Sequence, residues 1–186
     1  MNRKEFFKAA CQTLGLGGLI MASDRSIGAE ENAKPTPPEQ PSQEGFARRF
    51  KEKWIETLME NMEKQLPESS RQSLMNACGR ACARRGSLLK TAEAFKGNVA
   101  GFVEKVGGQI GKNLNYLEGQ TVHWGYPRCF CELVAEGPER LPATYCQCSV
   151  GWVQEMFEIA AAKPVRVELV QSIKGGAPDC RFQVRL

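Results

Sequence analysis

Four of the chain's eight cysteines stand in two C-x-C pairs, Cys129-x-Cys131 and Cys146-x-Cys148, with the turn-forming run E-G-P-E-R-L-P between them. Side chains alternate between the faces of a β-strand, so on strands both sulfurs of each pair project to one side. The surrounding segments, R-C-F-C-E-L-V and A-T-Y-C-Q-C-S-V, hold the β-branched and aromatic residues of strands. A hairpin turning between Pro138 and Glu139 then sets Cys129 opposite Cys148 and Cys131 opposite Cys146, with Cβ atoms about 4.5 to 5.5 Å apart. Leu133 and Val150 fall on the same face, and Glu132 and Gln147 on the other, which turns the four sulfurs inward. A slip of one residue in register breaks the quartet.

The elements around this hairpin predict an α+β domain. Phe46, Phe50, Trp54, Leu58, Met62 and Leu66 recur every four residues, with Ile55 and Met59 beside them, in an amphipathic helix stopped by Pro67. A second helix over 68–85 carries Leu74, Cys78 and Cys82 on one stripe and ends at Gly86, so Cys78 and Cys82 are expected to face inward. Ser87 and Asn98 can cap two further helices, the latter bearing Val99, Phe102, Val103, Val106 and Ile110. Beyond Gly119 come T-V-H-W-G-Y, the two C-x-C segments, a helix over 151–162, and two closing strands joined by the turn K-G-G-A-P. The expectation is N-terminal helices packed on an antiparallel sheet of about five strands with one intervening helix. Cys180 alternates in step with Phe182, Val184 and Leu186, again on an inward face.

Three explanations compete for seven inward cysteines: small buried hydrophobes, disulfides between opposed strands, or a zinc, iron or iron–sulfur site built from thiolates. The candidate ligands are Cys129, Cys131, Cys146, Cys148 and Cys180, with Cys78, Cys82 and the single histidine, His123, in addition. A thiol nucleophile with His123 as base is a further arrangement open to these residue types. The segment lacks G-x-S-x-G, a phosphate-binding glycine loop and H-E-x-x-H, the signatures of common hydrolase, nucleotide and zinc-protease chemistry. Arg80, Arg84 and Arg85 can hold a carboxylate, although a solvated face is the simpler reading.

The first residues have the grammar of an export signal: M-N-R-K-E-F-F-K, then a short apolar run over 14–22 diluted by three glycines. About twenty apolar residues are needed to span a bilayer, so the run is too short for an anchor. R-K-E-F-F-K resembles the twin-arginine export motif, with Lys4 in place of the second arginine. Ala22 and Ala29 both offer cleavage points, and 1–29 is read as the signal. Residues 30–45, with four prolines and little apolar content, read as a disordered linker, leaving 46–186 as one domain. Arg3, Lys4, Lys8 and Arg25 against Glu5 and Asp24 account for +2 of the formal charge of +4. The remainder offers no basic footprint for nucleic acid.

The C-terminal run Y-C-Q-C-S-V-G-W, a helix, then P-V-R-V-E-L-V-Q-S-I-K-G-G-A-P-D-C-R-F-Q-V, resembles the 4-vinyl reductase-like domains and the related aminothiazoline-carboxylate hydrolase-like family. Glu168, Ser172, Gly175, Cys180 and Phe182 carry the likeness, with the C-x-C before them. It implies a small-molecule-binding α+β fold around an apolar pocket, with cysteines holding a metal or ligand. Fold-level kinship does not transfer a reaction. The expected protein is therefore an exported, periplasmic small-molecule-binding domain with a cysteine-ligated metal or iron–sulfur site. A thiol-dependent hydrolase and a disulfide-stapled binding module are the alternatives. Its expected partners are a small-molecule ligand and the export machinery, with a homodimer left open.

Overall fold

Helix α1 (Gln43–Gln65) starts three residues before Phe46, so residues 43–45 are helical rather than linker. The computed structural model describes residues 43–134, 137 and 140–186; the signal, its cleavage points and the linker through residue 42 lie outside the described residues. Pro67 follows the end of α1 and stands at the N-cap of α2 (Glu68–Ala83), where its missing N–H costs nothing. Next comes α3 (Leu88–Ala94). Asn98 Oδ1 then accepts the Gly101 N–H at 2.9 Å and caps α4 (Val99–Phe102), as the sequence predicts. From there the chain runs on through a π-helical turn (Val103–Gly107) and a short α5 (Gly108–Gly111).

Strands β1 (Tyr116–Glu118) and β2 (Thr121–Tyr126) form a hairpin, followed by the long helix α6 (Ala143–Ala161) and the strands β3 (Arg166–Gln171) and β4 (Cys180–Arg185). The described residues form one antiparallel sheet in the order β1-β2-β4-β3. The β2–β4 register sets Val122 opposite Val184, Trp124 opposite Phe182 and Tyr126 opposite Cys180, all on one face. Helices cover that face. Phe102 stacks on Trp124 at 5.9 Å between centroids, and Phe157 of α6 meets both rings edge-on at 5.3 and 5.2 Å, the offset arrangement ring quadrupoles favour.

The α+β class and the helix-on-sheet packing match expectation, but the cysteine hairpin does not exist. A-T-Y-C-Q-C-S-V is the first half of α6, and R-C-F-C-E-L-V is an irregular segment with turns. The sheet among the described residues therefore has four strands, not five. Tyr145, Val150, Val153, Met156, Phe157 and Ala160 are all buried, so the segment gains more as a helix laid on the core than its Thr, Tyr and Val content gains as a strand.

Cys78 and Cys82 are exposed rather than inward. The inner stripe of α2 is Met75, Gly79 and Ala83, one residue round the helix from the predicted one. Glycine decides this. A Cβ at Gly79 would overlap the Cys148 carbonyl oxygen, and one at Gly151 would overlap the Asn76 carbonyl. Two bare glycines thus let the α2 and α6 backbones touch, and that contact fixes the rotation of α2.

Candidate functional site

Three separate pieces of chain bring cysteines to the end of the sheet where β2 leaves it. Cys180 opens β4 and pairs with Tyr126. Cys129 and Cys131 lie just beyond β2 in the irregular segment, and Cys146 and Cys148 sit in the first turns of α6. On a helix, residues two apart point in different directions, so Cys146 and Cys148 have different neighbours. Cys146 interacts electrostatically with Cys180, Cys129 and Cys131 and through a hydrogen bond with Ser172, while Cys148 interacts with Cys131, with Cys146 and, least, with Cys82 on α2. Cys131 is common to both. The five sulfurs are thus one electrostatically coupled group, assembled differently from the predicted quartet.

The seam between two cores holds this group. Cys180 belongs to the aromatic core of sheet and helices, and Cys146 to a second core of Ile55, Met59, Met62, Met75, Val134, Leu141 and Tyr145. Leu169 packs against both. Tyrosines line the seam. The Cys131 sulfur lies 3.0 Å from the Tyr145 hydroxyl, and Tyr126 accepts the Trp124 Nε1–H at 3.1 Å while packing edge-on to Phe130, Trp152 and Phe182. The Ile173 N–H points at the Cys180 sulfur at 3.4 Å.

Burial governs the charge state of these groups. It pushes the Cys146 thiol up to about 11, with the Ser172 hydroxyl opposing and Cys180, Cys129 and Cys131 adding to the rise. Cys148 is pushed up to about 12, first by burial and then by Cys131 and Cys146. Cys180 is raised for the same leading reason, against the pull of the Ile173 N–H. Tyr126 and Tyr145 are raised too, by burial first, and Tyr145 also by its contact with Cys131. At neutral pH Cys146, Cys148 and Cys180 keep their protons, because each of these thiolates would be both desolvated and repelled by neighbouring sulfurs.

The remaining predicted residues lie elsewhere. His123 projects from the outer face of the sheet, stacked on Tyr116 at 4.4 Å with Nε2 3.2 Å from a Glu118 carboxylate oxygen. Cys180, on the inner face, is beyond its reach. Cys78 and Cys82 are on the surface, Cys82 being the nearer to Cys148. All seven described cysteines are free, and the α6 helix removes the predicted bridges from Cys129 to Cys148 and Cys131 to Cys146.

The arginines hold carboxylates of the chain itself. Arg80 donates to Glu155 at 2.7 Å and to both Glu158 oxygens at 2.8 and 2.9 Å, while Arg84 donates to Glu155 at 2.6 and 3.2 Å. They clasp α2 to α6.

A metal is tested by donor chemistry and by donor placement. Five sulfurs, two buried and three half-buried, are the soft donors that zinc and iron take. As the side chains stand, however, no three His, Cys, Asp or Glu among the described residues are arranged to hold a metal ion. Sequence reasoning missed Tyr126, Tyr145 and Ser172, which close the seam. Tyr145 beside Cys146 was the available signal, once the segment is read as a helix. Two surface hollows, one lined by Ser69, Ser73 and Leu74 and one by Glu93, Lys96 and Ile159, lie away from the thiols and open to solvent.

Residues 40–186 match DUF6144, a family of unknown function. No curated protein matches the chain. Among solved structures it is similar to the phenol-responsive sensory domain of the transcription activator PoxR with phenol, at 13% identity and a TM-score of 0.43, over 71% of this chain and 72% of that one.

Proposed function

From the premise that the chain belongs to DUF6144, a family whose function is unknown, we propose a small-ligand-binding domain whose centre is the group of five thiols at Cys129, Cys131, Cys146, Cys148 and Cys180. The observation that carries this is their convergence from three chain segments onto one seam, where Cys146 and Cys180 are buried and Cys129, Cys131 and Cys148 half-buried. Free cysteines that merely fill a core have no reason to gather from three separate chain segments. Packing around the seam is close, with Tyr126, Tyr145, Cys146 and Cys180 all below 10% exposure. That favours an occupant of atomic size held by sulfur, a zinc or iron ion, over a bulky organic molecule.

In this reading the thiols of Cys129, Cys131, Cys146 and Cys180 are the donors, each giving up its proton to water as it binds, with Cys148 on another side of α6. Mutual repulsion, which opposes thiolates in the metal-free protein, becomes attraction to the cation. Because the donors do not stand as a ready set, binding requires rotation of the Cys129–Cys131 side chains toward α6. The likeness of the C-terminal half to 4-vinyl reductase-like domains belongs to the same proposal, as does export of a domain loaded with metal in the reducing cytoplasm. A nucleophilic thiol needs a lowered pKa and a nearby base. Here the buried thiols shift upward and His123 is on the far side of the sheet.

Anaerobic purification of the full chain followed by elemental analysis tests the proposal. The expected result is near-stoichiometric zinc or iron, lost in Cys131→Ser/Cys146→Ser and retained in Cys78→Ser/Cys82→Ser. Metal-free protein with every thiol titratable, before and after incubation with zinc, overturns it.

A further inference from the structure

The four proposed donors leave three of the described cysteines without a part. Cys148 is half-buried in the first turns of α6, and Cys78 and Cys82 are exposed on α2. Between the last two in the chain lies Gly79, whose missing Cβ lets the Cys148 carbonyl come against the α2 backbone. The backbone of Cys148 thus rests on the turn of α2 that carries both surface thiols.

Helical spacing fixes the side of α2 on which those thiols stand. At about 100° per residue, Met75, Cys78 and Cys82 fall within about 60° of one another around the helix. Met75 is buried in the second core, and Cys131 and Cys148 pack against that same core. The flank with the exposed thiols therefore borders the core that holds the seam's sulfurs, while the other flank is taken up by Arg80 and Arg84 clasping Glu155 and Glu158. Cys148 interacts with Cys131 and Cys146 on one side and, least, with Cys82 on the other.

Residues four apart on a helix are neighbours, with Cβ atoms about 5 to 6 Å apart, so Cys78 and Cys82 can offer two sulfurs to one ion. Zinc held by two thiolates keeps its remaining tetrahedral positions for water. A site of that kind takes metal from solution and yields it to a fuller thiolate set.

We infer that Cys78 and Cys82 are the acquisition pair for the metal of the thiol centre, and that the ion passes from them through Cys148 to the four donors of the seam. This rests on the proposed function and adds the route by which the site is loaded. Each incoming thiol gives its proton to water as it binds, and each thiolate left behind regains one, so the passage is a ligand exchange without oxidation or reduction.

Loading kinetics of the reduced, metal-free full chain test the route. Zinc is supplied as its complex with the dye pyridylazoresorcinol, whose colour is lost as the protein takes the ion. The wild type is expected to load to near stoichiometry, and Cys78→Ser/Cys82→Ser to reach the same end point about tenfold more slowly. Cys148→Ser, checked for folding by circular dichroism, should also load slowly. Combined with the surface pair it should slow loading no further than the slower of the two, because all three thiols serve one route. A surface-pair variant that loads at the wild-type rate overturns the route and leaves the metal centre standing, whether or not Cys148→Ser folds. Slowing that multiplies in the triple variant overturns it as well. Zinc missing from the surface-pair variant at the end point makes Cys78 and Cys82 the resting site and likewise overturns the route. A wild type that takes up no zinc sinks the proposed function, and the route with it.

Discussion

Cys146 and Cys148 are one residue apart from being neighbours in sequence, yet they meet different surroundings, and burial raises both. In the reduced protein, iodoacetamide should modify the exposed Cys78 and Cys82 well before Cys146, as read by peptide mass spectrometry at neutral pH; equal rates would contradict the burial described above. The raised values carry a stability consequence with a definite sign. An unfolded cysteine ionises near about 8.5, and Cys146 and Cys148 are held up to about 11 and about 12. Folding favours the protonated form, so this contribution is fully present below about pH 8.5 and is lost as pH rises through the folded values. Denaturant unfolding at rising alkaline pH should show the loss, and Cys146→Ala should reduce its slope; a slope unchanged by that substitution contradicts the assignment. Tyr145→Phe removes the hydroxyl beside Cys131 and should cost about 1 kcal/mol, measured by the same unfolding.

The contact of α2 with α6 is where one atom matters most. Gly79→Ala or Gly151→Ala drives a methyl into a backbone carbonyl that has no rotamer with which to yield. Each should destabilise by about 3 kcal/mol, seen as a fall in denaturation midpoint, and neutrality would mean that the helices do not touch there. The Arg80 and Arg84 clasp adds a pH term of opposite sense. Arg84 chiefly holds the Glu155 carboxyl below the usual carboxylate range, and Arg80 does so for Glu158. Their contribution is present above about pH 4.3, the unfolded value, and is lost as pH falls through the lowered folded ones. Glu155→Gln should flatten the acid limb of a stability profile.

Much at this scale was legible from sequence. Pro67, Asn98 and the alternation in Arg166–Gln171 and Cys180–Arg185 mark elements that the structure contains. The C-x-C argument failed because period-two reasoning was applied to a helix. Cys146, Val150, Val153, Phe157 and Ala160 recur at alternating spacings of four and three after Pro142, a helical signature that the local Thr, Tyr and Val content obscured. In α2 the period was right and the phase wrong; in α1 the named Ile55, Met59 and Met62 do pack inward, but Phe46, Phe50 and Trp54 do not. Apolar residues were assigned to the inner face, whereas Gly79 sets it in α2, and in α1 the largest apolar side chains face outward.

Across the whole molecule, the thiol group sits on the seam where the aromatic core of the sheet meets the smaller core beneath α1. A ligand bound there ties together β4, α6 and the irregular segment after β2, so its binding should raise the melting temperature of the entire domain by mass action. No described helix is long and apolar enough to cross a membrane. The sequence reading brought seven cysteines inward around a hairpin that the chain does not form; Cys78 and Cys82 are exposed, and the places of the other five, on a helix, a loop and a strand end, depend on long-range packing that no local pattern encodes. The most direct test of the account is the pattern of thiols protected when the reduced full chain is given one equivalent of zinc and then alkylated. The account predicts that the donors Cys129, Cys131, Cys146 and Cys180 become protected together while Cys78 stays reactive. Protection that is absent, or that falls on single cysteines independently, would contradict it.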